Sequence, residues 1–336
     1  MNIEVTNVHP IEKSTDRASI PEILSDHLVY LALLASSFAL AWLLNTHGLA
    51  QYADYTQGWK IIAIGAITFW GCVAALRLIE QVRPFERAWT RDHGGQLVND
   101  IVLTMSAPYL IYPLLGAGVA IAVSWAIDHW HILKSLQVWP THWPAIIALP
   151  LGLVVYDFVP YWAHRLNHKF ALFWRFHSVH HSSARLSAIN AGRAHPGEGV
   201  VNTIIGAPFA MLLGLPGEYA VWYFALGGFG HILTHANIRM RCGVFNYFIN
   251  TPELHRWHHS RHQRETDTNF GEVTVVWDHV FGTYYHPKRR PRRDVGVDFP
   301  VSANVLEQFI QPFTLKGHQP RSEVMPALAP GEAGSQ

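Results

Sequence analysis

Apolar residues along this chain gather in long runs rather than in the narrow stripes of a water-soluble bundle. Leu28–Leu44 is uncharged throughout, Ile61–Leu76 is a second run closed by Arg77, and Ile101–Ile127 is a third. A fourth starts near Trp143 and continues through Tyr156 to Ala163, interrupted by Asp157. A helix of about 20 apolar residues crosses a hydrocarbon core of roughly 30 Å. Each run therefore predicts a crossing, with Pro108 and Pro113 expected to kink the third. Val200–Leu213 and Tyr219–Gly230 are apolar but short, and Leu215-Pro216-Gly217 between them is a turn signal. They predict a hairpin that dips into the membrane from the cytosolic side and returns at His231. The predicted fold is all-α: a multi-pass membrane helical bundle of about four spans plus a re-entrant hairpin, under a cytosolic histidine-rich helical cap. Residues 1–27 are polar and predict a cytosolic N-terminal tail without a signal-peptide pattern. Residues 28–287 are expected to form the membrane domain, and residues 288–336 a basic and disordered C-terminal tail, rich in Pro, Ala and Gly towards its end.

Charge orients the spans. The 45–59 loop has no Lys or Arg, whereas Arg77, Arg83, Arg87 and Arg91 follow the second run and only Lys134 lies in the 128–142 loop. By the positive-inside rule the N-terminus and the 77–91 loop face the cytosol, and four crossings return the chain there at His164. The basic run Lys288-Arg289-Arg290-Pro291-Arg292-Arg293 falls on the same side, where anionic headgroups would attract it.

Composition adds two constraints. With 25 Lys+Arg against 24 Asp+Glu there is no net field to attract nucleic acid. Charged residues make up only 15% of the chain and there are 13 Trp, both in keeping with a membrane. Cys72 and Cys242 make no spaced framework, so neither a disulfide scaffold nor a thiolate metal site is expected.

Histidine is the outlier: 22 in all, 14 of them between His164 and His286. Ten fall into four clusters: His164/His168, His177/His180/His181, His231/His235 and His255/His258/His259. Helical positions i, i+3 and i+4 share a face, so each cluster is expected to present its imidazoles in one direction. Buried together without metal, such groups would repel when protonated and lack partners when neutral. Ten ring nitrogens could hold two metal ions with four or five each, leaving positions for O₂. Imidazole suits Zn, Cu, Fe and Ni. The chain has no His-Glu-x-x-His, and redox chemistry on a lipid favours iron. A metal transporter would need carboxylates along a mid-bilayer path. A bis-histidine haem cytochrome would need single histidines on facing spans.

The residues from about Asp157 to Tyr285 resemble the fatty acid hydroxylase and sterol desaturase superfamily of membrane di-iron enzymes. The resemblance is carried by Asp157-x-x-x-Tyr161-Trp162-x-His164-Arg165-x-x-His168, His177-x-x-His180-His181-Ser182, His195-Pro196 and Thr251-Pro252-x-x-His255-Arg256-x-His258-His259. Asn269-Phe270-Gly271 and Trp277-Asp278-x-x-Phe281-Gly282-Thr283-Tyr284 complete it. It implies two Fe²⁺ ions held by the ten histidines, O₂ as oxidant, and an external electron donor such as a ferredoxin or cytochrome b5. It also implies a lipid substrate: a fatty acyl chain, a sterol or a bacterial membrane lipid. Hydroxylation is the expected reaction, with desaturation the alternative. The compact form looks like the bacterial members, placing the protein in a bacterial inner membrane, or in the endoplasmic reticulum if eukaryotic.

Three residues are expected to stand behind the ligands. Asp157, two helical turns before His164, could accept the second ring N–H of a ligand; pairing with Arg165 or another arginine is the alternative. His195 is a supporting group, a substitute ligand or a loop histidine. Asp278 anchors a histidine or a backbone turn. Asn269-Phe270-Gly271 is expected to be a turn closing the site. Trp162, Trp174, Trp222 and Trp257 suit a substrate channel and an interfacial belt equally well.

Overall fold

A computed structural model describes residues 19–48, 58–92, 95–106, 112–140, 142–215, 217–291 and 293–314. Among these the chain is helical, with no strand and only isolated bridges. Helix α1 (Ile20–Leu43) starts at a capping box. Ser19 donates from both its backbone N–H and its hydroxyl to Glu22, and Pro21 occupies the first turn, where no N–H is needed. Asp26, buried within α1, pairs with Arg83 and Arg239. Residues 20–27, expected in the tail, therefore belong to a helix fixed at its start by a cap and two ion pairs.

Helix α2 (Gly58–Val82) is the second apolar run. The third run is divided between α3 (Gln96–Ser106) and α4 (Tyr112–His129). Pro108 lies outside the described residues, while Pro113 sits in the first turn of α4, a position that needs no N–H donor. A short helix, α5 (His131–Lys134), leads to α6 (Ala145–Tyr156) and α7 (Phe158–Lys169), which run on as one apolar rod interrupted at Asp157. Pro160 explains the interruption: it has no N–H to give the Tyr156 carbonyl. Three helical stretches are long and apolar enough to cross a membrane, 20–46, 63–82 and 145–169. Most of their surface stays uncovered, including Leu28, Phe38, Trp42, Ile67, Ile146 and Leu151. Exposed apolar area of this extent suits lipid rather than water.

Helices α8 (Ala171–His181), α9 (Pro196–Leu212), α10 (Gly217–His235), α11 (Pro252–His258), α12 (Gln263–Thr266), α13 (Val276–Phe281) and α14 (Val305–Thr314) follow. The two halves expected to form a hairpin share α6 but pack mainly on different helices: α9 lies chiefly against α4, and α10 against α1 and α11. Pro216 between them lies outside the described residues. Tyr30 of α1, Val73 and Leu76 of α2, and Phe229, Ile232 and Leu233 of α10 form the main core.

A fully buried carboxylate locks this core to the histidine region. Glu80 of α2 accepts from the backbone N–H of Ala188 (2.7 Å) and of Asn237 (3.0 Å) and from the Ser187 hydroxyl, and pairs with Arg77. It thereby ties α2 to a 3₁₀ turn at Ala188–Asn190 and to the end of α10. Residues 293–314, expected in the tail, are folded in part: α14 packs on α8 and α3. Its Gln308 accepts from Arg193, which also pairs with the fully buried Asp100 at 2.7 Å. Residues 1–18 and 315–336, the remainder of the expected tails, lie outside the described residues.

Candidate metal centre

Helix α7 carries His164 and His168, α8 carries His177, His180 and His181, and α10 carries His231 and His235. Helix α11 carries His255 and His258, with His259 at its C-terminal end. Nine of these ten side chains converge in two groups. His164, His168, His177, His181 and His258 form one; His180, His235, His255 and His259 form the other. Within each group the ligand atoms lie within 4.8 Å of one another, and all nine residues are buried. The groups abut, with the rings of His181 and His259 stacked at 4.3 Å.

The partition corrects the expectation that each cluster points one way. In both His-x-x-His-His clusters the first and last histidines stay together and the middle one crosses over. His177 and His181 join the five-membered group while His180 joins the other; His255 and His259 join the four-membered group while His258 joins the five. Consecutive helical residues are about 100° apart, so adjacent histidines cannot share a direction, whereas i and i+4 nearly do. One residue of each cluster thus cross-links the two groups.

Six of the nine rings have Nδ1 set against an acceptor, whereas Nδ1 of His181 and of His255 is buried with no hydrogen-bond partner among the described residues. Nδ1 of His177 donates to Glu198 Oε1 (2.7 Å), and Nδ1 of His168 faces Asp267 Oδ1 (3.3 Å). Nδ1 of His164, His180 and His258 donates to the backbone carbonyls of Phe270, Arg193 and Thr268, each at 2.9 Å. Nδ1 of His235 donates to Asn190 Oδ1 (3.2 Å), and the Asn190 amide is in turn fixed by Ser183, Arg185 and Ser187. A ring that donates from Nδ1 keeps its lone pair on Nε2. The Nε2 atoms of His164, His168 and His258 are buried with no hydrogen-bond partner among the described residues. In place of protein partners, other Nε2 atoms meet one another: His177 and His181 at 3.1 Å, His235 and His255 at 2.9 Å. Orphaned inward lone pairs on buried rings are what a metal requires, and outward donors to carboxylates or carbonyls fix ligand tautomers in metal sites. Burial holds His180, His181, His255 and His259 well below the ordinary histidine range, and His258 is lowered to about 3. Neutral rings are the ligand form. The residues present therefore fit two all-imidazole metal ions.

The tenth histidine stands apart. By the symmetry of the two groups His231 would be the counterpart of His164, yet it belongs to neither group. Its Nε2 donates to the Ala191 carbonyl at 2.6 Å, and its Nδ1 lies 3.6 Å from Glu272, which is also 3.4 Å from Nδ1 of His164.

The three supporting residues also have definite places. Among the described residues Asp157 makes no hydrogen bond or ion pair with a histidine or an arginine. It accepts from Tyr223 (3.0 Å), from the backbone N–H of Val273 and Thr274, and from the Thr274 hydroxyl. Asp278 accepts from the backbone N–H of Phe270 (2.8 Å) and Gly271 (2.9 Å) and from Thr283. Both carboxylates thus shape the 268–274 loop whose carbonyls hold His258 and His164. That loop is the expected turn. Asn269 is left-handed at φ 54°, and a Cβ on Gly271 would sit 1.8 Å from the Thr274 carbonyl oxygen. His195 caps α9, accepting from Gly197 N–H, and contacts the Phe309 carbonyl. Trp257 is buried, and Trp174 lies beside His168 and His181.

Glu198, Asp267, Asn190 and Glu272 were not singled out by sequence reasoning. Glu198 alone carried a signal, as an acidic residue in the first turn of an otherwise apolar helix. The others reach the site from loops and a 3₁₀ turn distant in sequence.

Among the described residues, an all-helical fold with helices long and apolar enough for a membrane and two buried histidine groups that could hold metal points to the class of helical membrane proteins with a histidine metal centre. Comparison with known proteins narrows it. The family described as fatty acid hydroxylase matches residues 149–283. The ornithine lipid hydroxylase OlsE of Rhizobium tropici is 36% identical over 255 residues, covering 75% of this chain and 76% of the relative. An alkylglycerol monooxygenase of Danio rerio is 27% identical over 202 residues, 58% of this chain and 43% of the relative. A Δ7-sterol 5(6)-desaturase of Gibberella zeae is 25% identical over 189 residues, 56% of this chain and 49% of the relative. No solved structure matches. The chain belongs to the fatty acid hydroxylase and sterol desaturase superfamily, and is an oxidoreductase of the lipid-hydroxylase type.

Proposed function

We propose that the protein is a di-iron membrane monooxygenase that hydroxylates a C–H bond of a bacterial membrane lipid, an ornithine-containing lipid being the first substrate to test. The observation that carries this reading is the pair of abutting, buried histidine groups, in which Nε2 atoms lack a partner at His164, His168 and His258 and meet one another at His235, His255 and His259. The ornithine lipid hydroxylase similar along three quarters of the chain supports the substrate class.

In this reading His164, His168, His177, His181 and His258 hold one iron, and His180, His235, His255 and His259 the other. Iron there supplies O₂ activation and C–H oxidation. The overall balance is lipid C–H plus O₂, two electrons and two protons to lipid C–OH plus water, the electrons coming from an external carrier protein. The chain's own residues set the geometry. Glu198, Asp267, Asn190 and the carbonyls of Arg193, Thr268 and Phe270 keep the rings of His177, His168, His235, His180, His258 and His164 in one tautomer and one orientation, and burial of the rings excludes bulk water. His231 borders the four-membered group, spending Nε2 on the Ala191 carbonyl; this differs from its expected place as a tenth ligand. The histidine helices lie on the cytosolic side of an inner membrane, by the arginine bias of the loops.

The test is lipid mass spectrometry of cells with and without the gene. Loss of a species bearing one added oxygen on deletion supports hydroxylation. Loss of a species lacking two hydrogens would instead assign the desaturase reaction, and an unchanged lipid profile would reject the proposal.

A further inference from the structure

The described residues of the basic run, 288–291 and 293, have a definite place: they fold over the outer side of α11, the helix that carries His255 and His258. Arg289 stacks on the Trp257 ring at 4.3 Å, donates to the Tyr285 hydroxyl at 3.3 Å and pairs with Glu265. Arg293 pairs with Glu86, and Arg261 with Asp294 at 3.1 Å. The Ser260–Val295 bridge fixes the run beside the end of α11. Arg261, Arg264, Lys288, Arg289, Arg290 and Arg293 are all exposed. Lys288 and Arg264 make no ion pair among the described residues.

Directly beneath this cationic face lies Trp257. It is 1% exposed, sits in sequence between His255 and His258, and packs edge-on against Tyr285 at 5.6 Å. The exposed arginine thus stacks on an indole that lies on the same short helix as, and in sequence between, His255 and His258, which belong to different histidine groups.

We propose that this cationic face over α11 is the docking surface of an acidic one-electron carrier protein, and that Trp257 is the link between the docked carrier and the histidine groups. The inference rests on the oxidative reading of the site, which requires two electrons per turnover. An acidic iron–sulfur or cytochrome carrier delivers them in two encounters, each oxidising one carrier by one electron. A membrane surface is the less suited occupant. The exposed side chains named on the face are guanidinium and ammonium groups, whereas Leu306, Ile310 and Phe313 give α14 an exposed apolar side.

The experiment uses the full chain in nanodiscs of zwitterionic lipid, an acidic [2Fe–2S] ferredoxin as electron source, and dithionite with a small mediator as reference. The wild-type rate of ferredoxin oxidation should fall as salt is raised. In the Arg264→Glu/Lys288→Glu variant the ratio of ferredoxin-driven to dithionite-driven rate should fall about tenfold at low salt, as expected when an interface loses charges that steer encounter. An unchanged ratio overturns the proposal. So does a variant whose ratio falls only when anionic lipid is included, since that assigns the face to the membrane. If wild type turns over with neither reductant, the oxidative reading fails. Surface plasmon resonance of ferredoxin on the immobilised protein then tests docking by itself: a tenfold weaker variant supports the surface, and equal binding rejects it.

Discussion

Nδ1 of His177 lies 2.7 Å from Oε1 of Glu198, twenty-one residues on and in the first turn of α9. The pair couples α9, a helix that carries no ring of either group, to one of the proposed ligands. Because the carboxylate accepts, the ring donates from Nδ1 and turns its Nε2 lone pair inward. Glu198→Ala should lower metal affinity or turnover on the order of 10- to 100-fold, as outer partners of ligand histidines typically do. Glu198→Gln should be milder, since an amide oxygen can still accept. Metal titration of both variants checks this; equal affinity in wild type and Glu198→Ala would remove Glu198 from the account.

Asp157 should behave differently. It gathers four hydrogen bonds from Tyr223, Val273 and Thr274, so its loss leaves buried donors unsatisfied. Asp157→Ala should cost about 2–5 kcal/mol of stability. Asp157→Asn, which keeps an acceptor oxygen, should cost less. Thermal unfolding in detergent measures this. A variant of unaltered stability with lost metal would restore the direct histidine partnership expected from sequence.

His180→Ala, His235→Ala and His258→Ala should each abolish activity while leaving the protein membrane-inserted, because the apolar stretches lie elsewhere. His142→Ala, at an exposed position outside both histidine groups, should be close to neutral. Membrane fractionation alongside turnover separates loss of function from loss of insertion. Wild-type turnover in both His180→Ala and His258→Ala would leave these clusters structural.

Sidedness is checked by tags. Positions at Gln51 and Lys134 should report the face opposite to Gln336, following the arginine bias of the loops. All three tags on one face would defeat the four-crossing topology. Gln51 and Gln336 lie outside the described residues, so labelling supplies what the fold does not.

Much of this was legible in the sequence, for a physical reason. Apolar run length reports directly on helices that face lipid, and the i, i+4 spacing brought together His164 with His168, His177 with His181, and His255 with His259. What spacing could not show was where the middle histidines go. His180 and His258 cross into the other group because one residue turns the helix by about 100°. Nor could it show the true partners of Asp157, since the 273–274 loop is placed by tertiary packing. The same limit applies to His231, whose i, i+4 relation to His235 fits a ligand pair although its Nε2 is spent on Ala191.

The central claim is that these imidazoles hold two metal ions, one in each histidine group. The most direct measurement is the metal content of purified, fully active protein by inductively coupled plasma mass spectrometry, repeated on His231→Ala and His235→Ala. The account predicts two iron ions per chain in wild type, two retained in His231→Ala, and depletion in His235→Ala. One metal ion or none in fully active wild-type protein would contradict it.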